Sequence, residues 1–312
     1  MANIRPSTIG AFAISISAIL WGFDGVVLTP RLANTSGNHL DTGYVVFVLH
    51  AFPFLLMSFF LRKEFKQWRN FSKSDLLNIT MVALLGGALG TLFIVKALFT
   101  VDFQNLTVVA LLQKLQPVFG IALAGIILKE RPGKSYALWA ALAIAAGYFL
   151  TFGLNRPNFH TGGNTLLAAG YALLAALAFS ASTVLSKKVL YKFAFTTATF
   201  YRYLVTTLLM LLYMIISNKW GQFEQTSPSS WLLFAVIGIT TGSGAIFLYY
   251  YGLRHVKAIV STICELLFPT SVILFDYLIN GNQLDAVQWT SVVVMFFALY
   301  MLNHRSSATP KA

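Results

Sequence analysis

The chain has 312 residues, of which 57% are hydrophobic and only 10% charged, with a mean hydropathy of +0.71. Soluble domains carry about 25% charged residues, so a soluble globular protein is excluded and an all-α polytopic membrane protein is expected. The net charge of +12 does not point to nucleic acid, because the basic residues form short clusters between apolar runs, as on the cytoplasmic face of a membrane protein. The single cysteine, Cys264, excludes an internal disulfide and reads as a small packing residue.

A bilayer core takes roughly 20 apolar residues as helix, and lipid offers backbone N–H and C=O groups no partner outside the helix itself. On that basis ten spans are expected, at 7–28, 44–61, 76–97, 106–128, 136–153, 165–186, 195–216, 231–252, 258–279 and 286–303. The first, behind Arg5, is too long for a signal-peptide core and lacks a small-residue cleavage site, so it reads as a retained span. It holds Trp21 and Asp24 in "AILWGFDG"; span two holds His50; span three carries "GGALG" and closes with Lys96.

Span four contains "LLQKLQPVFG", with Gln113, Lys114 and Gln116 beside Pro117. Proline has no N–H and weakens the helical ladder, so donors and acceptors gather at a bendable point. An ionisable group deep in a span costs a few kcal/mol and usually faces a cavity or a partner. Lys114 is therefore read as a counter-charge for a substrate carboxylate or phosphate, against a structural ion pair or a lysine whose stem follows the helix to shallower water. Span six, "AGYALLAALAFSAS", is rich in small residues that let helices approach closely. Span seven opens with "FYRY" and buries Arg202, which is expected to meet a carboxylate or helix carbonyls, or to gate. Span eight ends in "LYYYG", where two of the three tyrosines read as an interfacial belt, leaving Tyr250 with Trp21 as cavity residues. In span nine, Glu265 precedes Pro269 by four positions. It is expected to couple protons, to hold a substrate amine, or to pair with Lys114.

With the N-terminus inside, the cytoplasmic segments hold Arg5; Arg62, Lys63, Lys66, Arg69 and Lys73; Lys129, Arg131 and Lys134; Lys187, Lys188 and Lys192; Arg254 and Lys257; Arg305 and Lys311. The outer segments hold only Arg31, Arg156 and Lys219. This asymmetry predicts that both termini are cytoplasmic, in a cytoplasmic (inner) membrane.

The halves also resemble each other. "LLQKLQPVFGIAL" aligns with "ICELLFPTSVILF", setting Pro117 against Pro269, and "FVLHAFPFLL" with "TFYRYLVTTLL", setting His50 against Arg202, both at an offset of 152. Five spans per unit is odd, so the second unit enters the membrane inverted. Residues 1–157 and 158–312 are thus expected to form two inverted repeats around a central cavity, an alternating-access architecture with its site near the midplane.

These features resemble the drug/metabolite transporter superfamily in its ten-span EamA branch. The residues that carry the likeness are "AILWG", "KALFTVDFQNLTVVALLQKLQPVFGIALAGIILKERPGK" and "YYGLRHVKAIVSTICELLFPTSVILFDYLINGNQ". In the second copy, Gly281, Asn282 and Gln283 replace the Glu130–Arg131 pair that follows span four. The resemblance implies a basket of helices, with spans five and ten peripheral, that carries small organic metabolites, often outward.

The expected function is secondary transport of a small amino-acid-like or other polar solute, by export. The alternatives are uptake of a nucleotide-like cofactor and, more remotely, a polytopic membrane enzyme. No Walker motif occurs and the histidines show no metal spacing, so no cofactor, metal or catalytic residue is expected. Substrate-binding candidates are Lys114, Gln113, Gln116, Glu265, Trp21 and Tyr250. Gating or coupling candidates are Asp24, Lys96, Arg202, His50 and Glu265, with Pro117 and Pro269 as helix breaks. The partners are a small molecule, the lipid bilayer and protons as a coupling ion.

Overall fold

The structure, a computed structural model, describes residues 5–35, 40–100, 112–113, 115–155, 165–281 and 283–306. Every regular element among them is helical, as a chain with so few charges requires. Helix α1 runs Pro6–Phe23, through a π turn at Asp24–Leu28, into Thr29–Thr35; α2 is Thr42–Phe60. Helix α3 comprises Lys73–Val82, a π segment at Ala83–Leu89 and Gly90–Thr100. Then come α4 (Gln116–Ile127), α5 (Lys134–Phe152), α6 (Thr165–Leu190) and α7 (Phe195–Ile216). Helix α8 comprises Pro228–Ile237, a π segment at Gly238–Gly244 and Ala245–His255; α9 comprises Ala258–Cys264, Leu267–Phe275 and a π turn at Asp276–Asn280; α10 is Ala286–Ser306.

Among the described residues six helices are long and apolar enough to cross a membrane, with mean hydropathies of 1.6 to 1.9: Pro6–Leu32, Thr42–Phe60, Lys73–Ala97, Leu166–Leu190, Phe195–Ile216 and Pro228–His255. Large apolar side chains such as Phe60, Ile126, Leu166 and Leu232 point outward, each more than 60% exposed. Water would penalise such a surface and a bilayer favours it. The protein is a polytopic membrane protein.

Where helices bend, the sequence gives the cause. Pro269 cannot donate to the carbonyl of Glu265 one turn back, and Phe268 N closes a tighter turn onto that carbonyl at 3.0 Å. Span nine is therefore two helices joined at Glu265–Leu266, one turn ahead of Pro269, the residue read as its helix break. Likewise Leu115 N bonds Leu112 O at 3.1 Å, and α4 restarts at Gln116 with Pro117 in its first turn. The expected spans one, six and eight are each longer than read, because the π turns and the polar end residues continue the helix.

The central core joins α1, α6, α7, α8 and the first part of α9 around Phe200, Tyr203, Tyr249, Tyr250 and Leu253. Helices α5 and α10 pack on each other through Ala140, Ala143 and Ala146 against Met295, Ala298 and Leu299.

Polar bonds gather the basic connections at one end. Glu64 of the α2–α3 connection accepts from Thr196 and Thr197 at the start of α7 (3.2 and 2.8 Å). Lys192 of the α6–α7 connection meets Asp75 at the start of α3 (2.7 Å). Glu130 of the α4–α5 connection accepts from the first amides of α9. Elsewhere, Asp41 ahead of α2 accepts from Tyr213 at 3.1 Å and faces Lys219 at 3.7 Å.

Candidate functional site

The break in α9 leaves Glu265 half-buried about 10 Å along that helix, with its carboxylate facing three donors. Gln116 Nε2 from α4 donates to Oε2 at 2.7 Å, and Tyr249 from α8 donates to Oε1 at 2.7 Å. The Ser261 hydroxyl, one turn earlier in α9, lies 3.1 Å from Oε1 and 3.1 Å from the Tyr249 oxygen. Because the carboxylate accepts from Tyr249, Thr183 of α6 supplies the proton it shares with the phenol at 2.8 Å. Trp21 of α1 sets its ring 5.4 Å from that of Tyr249, tilted by 50°. Five helices thus meet at one acidic, aromatic-walled point. A carboxylate in a low-dielectric setting needs such donors, since an unpaired buried charge is far more costly than a paired one.

A second layer surrounds Arg202. Its guanidinium donates to the Tyr250 hydroxyl at 3.0 Å and to Gly86 O at 3.2 Å, and lies 5.6 Å over the Tyr250 ring. Tyr250 is 1% exposed and also bonds Ser186 at 2.7 Å. Arg202 has met a helix carbonyl, as expected, together with a phenol.

Several expectations need correction. Tyr250 braces Arg202, and the tyrosine beside Glu265 and Trp21 is Tyr249, which had been read as part of an interfacial belt. The helix runs on to His255, so position 249 lies more than a turn inside it and not at the end where a belt was expected. Asp24 accepts from Thr29 at 3.2 Å. Lys96 is exposed and lies 5.9 Å over the Tyr171 ring. The two, both gating candidates, form no ion pair with each other among the described residues. Gln113 turns away from Glu265 and donates to Ala172 O at 2.8 Å. His50 bonds Val46 O at 2.8 Å and packs on Tyr203, 5.1 Å between ring centres, which makes it a packing residue here. Lys114 lies outside the described residues, as does the side chain of Pro269.

Beyond Tyr249, sequence reasoning passed over a polar stripe on α6. Ser180 bonds Gln116 O at 2.7 Å, Thr183 bonds Tyr249, Ser186 bonds Tyr250, and Lys187 bonds Leu253 O at 2.8 Å. Its signal was the three-residue spacing of hydroxyls along an otherwise apolar helix, which places them on one face.

A bundle of membrane helices that converges at mid-helix breaks on a half-buried carboxylate has the form of a transporter, with no metal-binding group of His, Cys, Asp or Glu among its described residues. Sequence comparison makes the class specific: the EamA-like transporter family model matches residues 8–153 and again 166–304. The chain belongs to the EamA-like transporter family, and it is a transporter, not an enzyme. It is 46% identical over 295 residues to the riboflavin transporter ImpX of Fusobacterium nucleatum subsp. nucleatum, covering 94% of this chain and 97% of that protein. It is also 27% identical over 255 residues to an uncharacterized transporter, sll1164, of Synechocystis sp., covering 78% of this chain and 70% of that one. One crystal structure shares the fold with a TM-score of 0.70 at 16% identity, covering 98% of this chain and 99% of its own.

Proposed function

We propose that this transporter carries riboflavin, or a flavin of the same chemistry, by alternating access between two inverted five-helix units. The observation that carries the reading is the 46% identity to a riboflavin transporter across nearly its whole length. The site chemistry agrees with it. A flavin is a flat heteroaromatic ring with amide-like donors and acceptors on its edge. Trp21 and Tyr249 offer aromatic faces, while Gln116 and Glu265 offer a donor and an acceptor beside them. Aromatic walls with a few placed polar groups are the usual composition of such sites.

The nucleotide-like cofactor is therefore preferred over an amino-acid-like solute. That preference rests on the 46% identity to a riboflavin transporter, and the amide and hydroxyl groups that Glu265 accepts from suit a neutral, amide-edged solute. Export had no support beyond family resemblance and is not part of the proposal.

The inverted-repeat reading draws on paired irregularities. The π segments of α3 (Ala83–Leu89) and α8 (Gly238–Gly244) occupy equivalent places, and each unit has one interrupted helix carrying a proline, α4 and α9. The two family matches divide the chain at the same boundary. On this reading the four basic connections gathered at one end are cytoplasmic, by the positive-inside rule, in a cytoplasmic membrane.

The test is flux into proteoliposomes holding the purified protein, with labelled riboflavin outside. Saturable uptake that excess unlabelled riboflavin abolishes, and amino acids do not, is expected. Riboflavin flux no greater than that of protein-free vesicles, with saturable amino-acid flux, would overturn the proposal.

A further inference from the structure

Two buried charges at the basic end have no part in the site around Glu265. Glu130 is 8% exposed and Lys187 5%. Both act on the short connection between α8 and α9. Lys187 Nζ donates to Leu253 O at 2.8 Å and Arg254 O at 3.0 Å, carbonyls in the last turn of α8. Glu130 accepts from Ala258 N through Oε1 and from Ile259 N through Oε2, each at 3.1 Å, the first amides of α9. Those carbonyls and amides have no partners within their own helices, and their dipoles favour a cation and an anion respectively.

The two charges share a bridge. The Tyr191 hydroxyl lies 3.5 Å from Glu130 Oε1, and Lys187 Nζ sits 5.0 Å over the Tyr191 ring. Tyr136 of α5 donates to Ile259 O. Local backbone aims the carboxylate: Lys129 is left-handed (φ 57°), which turns the chain sharply at the end of α4.

The element so held is short and isolated. Ala258–Cys264 is buried at every position, and the Glu265–Leu266 turn separates it from the rest of α9. It lies between the basic end and the carboxylate at the site. At the position 152 residues after Glu130 the sequence has Asn282 in place of an acidic residue. A segment fixed by ionic contacts at one end and a helix break at the other has the parts of a hinged element with two arrangements. Buried ionic contacts are better suited to a switch than to bulk stability, because desolvation offsets much of their attraction.

We propose that Glu130 and Lys187 form a latch that holds the half-helix Ala258–Cys264 closed over the site from the basic end. Opening to that side releases the latch, and the half-helix swings at Glu265–Leu266. Both residues are positioning residues: they act through the half-helix and do not touch substrate.

Cys264, the single cysteine, is buried at the end of this half-helix and reports directly. The measurement is the rate at which membrane-permeant N-ethylmaleimide alkylates Cys264 in proteoliposomes of the full chain. Wild type is expected to react slowly. Glu130→Ala and Lys187→Met are expected to react about tenfold faster or more, the effect on an opening equilibrium of losing hydrogen bonds to a charged group. Glu130→Gln, which keeps the volume and one acceptor, should fall between them and wild type. Asp75→Asn, at the same end but away from the half-helix, is the control for general loosening. Cys264 as protected in Glu130→Ala and Glu130→Gln as in wild type overturns the latch. So does Asp75→Asn labelling as fast as Glu130→Ala. The inference rests on the alternating-access reading but not on the substrate. A chain inert to riboflavin would still show the labelling difference, and a flavin carrier with uniform labelling would keep its function and lose the latch.

Discussion

Gln116 Nε2 lies 2.7 Å from Glu265 Oε2, a hydrogen bond across 149 positions of sequence that ties α4 to α9. Each partner sits at a helix interruption in a different half of the chain. Relative movement of the halves must therefore stretch or break this bond, and a substrate with an amide-like edge can replace either partner.

Glu265→Gln should accordingly lower riboflavin flux by about 10-fold to 100-fold, since hydrogen bonds to a charged group contribute about 1.5–3 kcal/mol. The neutral amide also presents its own N–H groups to Gln116, Tyr249 and Ser261, which are donors in the native site. Flux measured per milligram of monodisperse protein checks this, and wild-type flux would remove Glu265 from the site.

The aromatic wall separates stacking from hydrogen bonding. Trp21→Ala should raise the half-saturating riboflavin concentration about 2-fold to 10-fold, because an aromatic pair contributes about 0.5–1.5 kcal/mol beyond burial. Trp21→Phe should recover most of it. Tyr249→Phe keeps the ring but removes the hydroxyl bonded to Glu265 and Thr183, so the maximal rate should fall with little change in half-saturation. Concentration series on the three variants distinguish these patterns.

Much of this was legible in the sequence, for physical reasons. Apolar run length marks membrane helices because the bilayer fixes the length, and prolines at equal offsets mark the interruptions because proline lacks an N–H. Gln116 and Glu265 were singled out as polar residues out of place in lipid, and Trp21 as an aromatic cavity residue. Tyr249 was missed because "LYYYG" was read as the interfacial end of span eight, whereas the helix runs on to His255. The roles of Glu130 and Lys187 were hidden for another reason: their partners are backbone groups of α8 and α9, and backbone partners leave no mark in side-chain sequence.

Close approach at the crossing of the two interrupted helices sets a further constraint. Gly120 of α4 faces Thr262 of α9 so closely that an added methyl would collide with the threonine side chain. Thr262 is fully buried and bonds Ile259 O at 3.1 Å. Overpacking a tight contact costs about 1–3 kcal/mol, so Gly120→Ala should lower the thermal midpoint in detergent. Adding Thr262→Ala removes the obstructing Cγ2, so the double variant should lose less than the two single losses combined. Simple additivity would mean that the helices yield without strain.

The start of α3 allows a graded test of what holds the basic end together. Ser72 and Asp75 form a reciprocal capping box, with Asp75 N donating to Ser72 Oγ at 3.3 Å and Ser72 N donating to Asp75 Oδ2 at 3.1 Å. Asp75 also accepts from Lys192 at 2.7 Å, and the two side chains are 7% and 57% exposed. Losing an N-cap costs about 1 kcal/mol, whereas a largely solvated lysine adds about 0–1 kcal/mol. Asp75→Ala removes the box and the ion pair together and leaves Lys192 without its partner. The expected order of destabilisation is Asp75→Ala, then Ser72→Ala, then Lys192→Met, read as falling thermal midpoints. Raising the salt concentration should narrow the gap between wild type and Lys192→Met, since screening weakens an exposed charge more than a cap. A midpoint for Lys192→Met as low as that for Asp75→Ala would mean that the ion pair, not the cap, fixes this helix end.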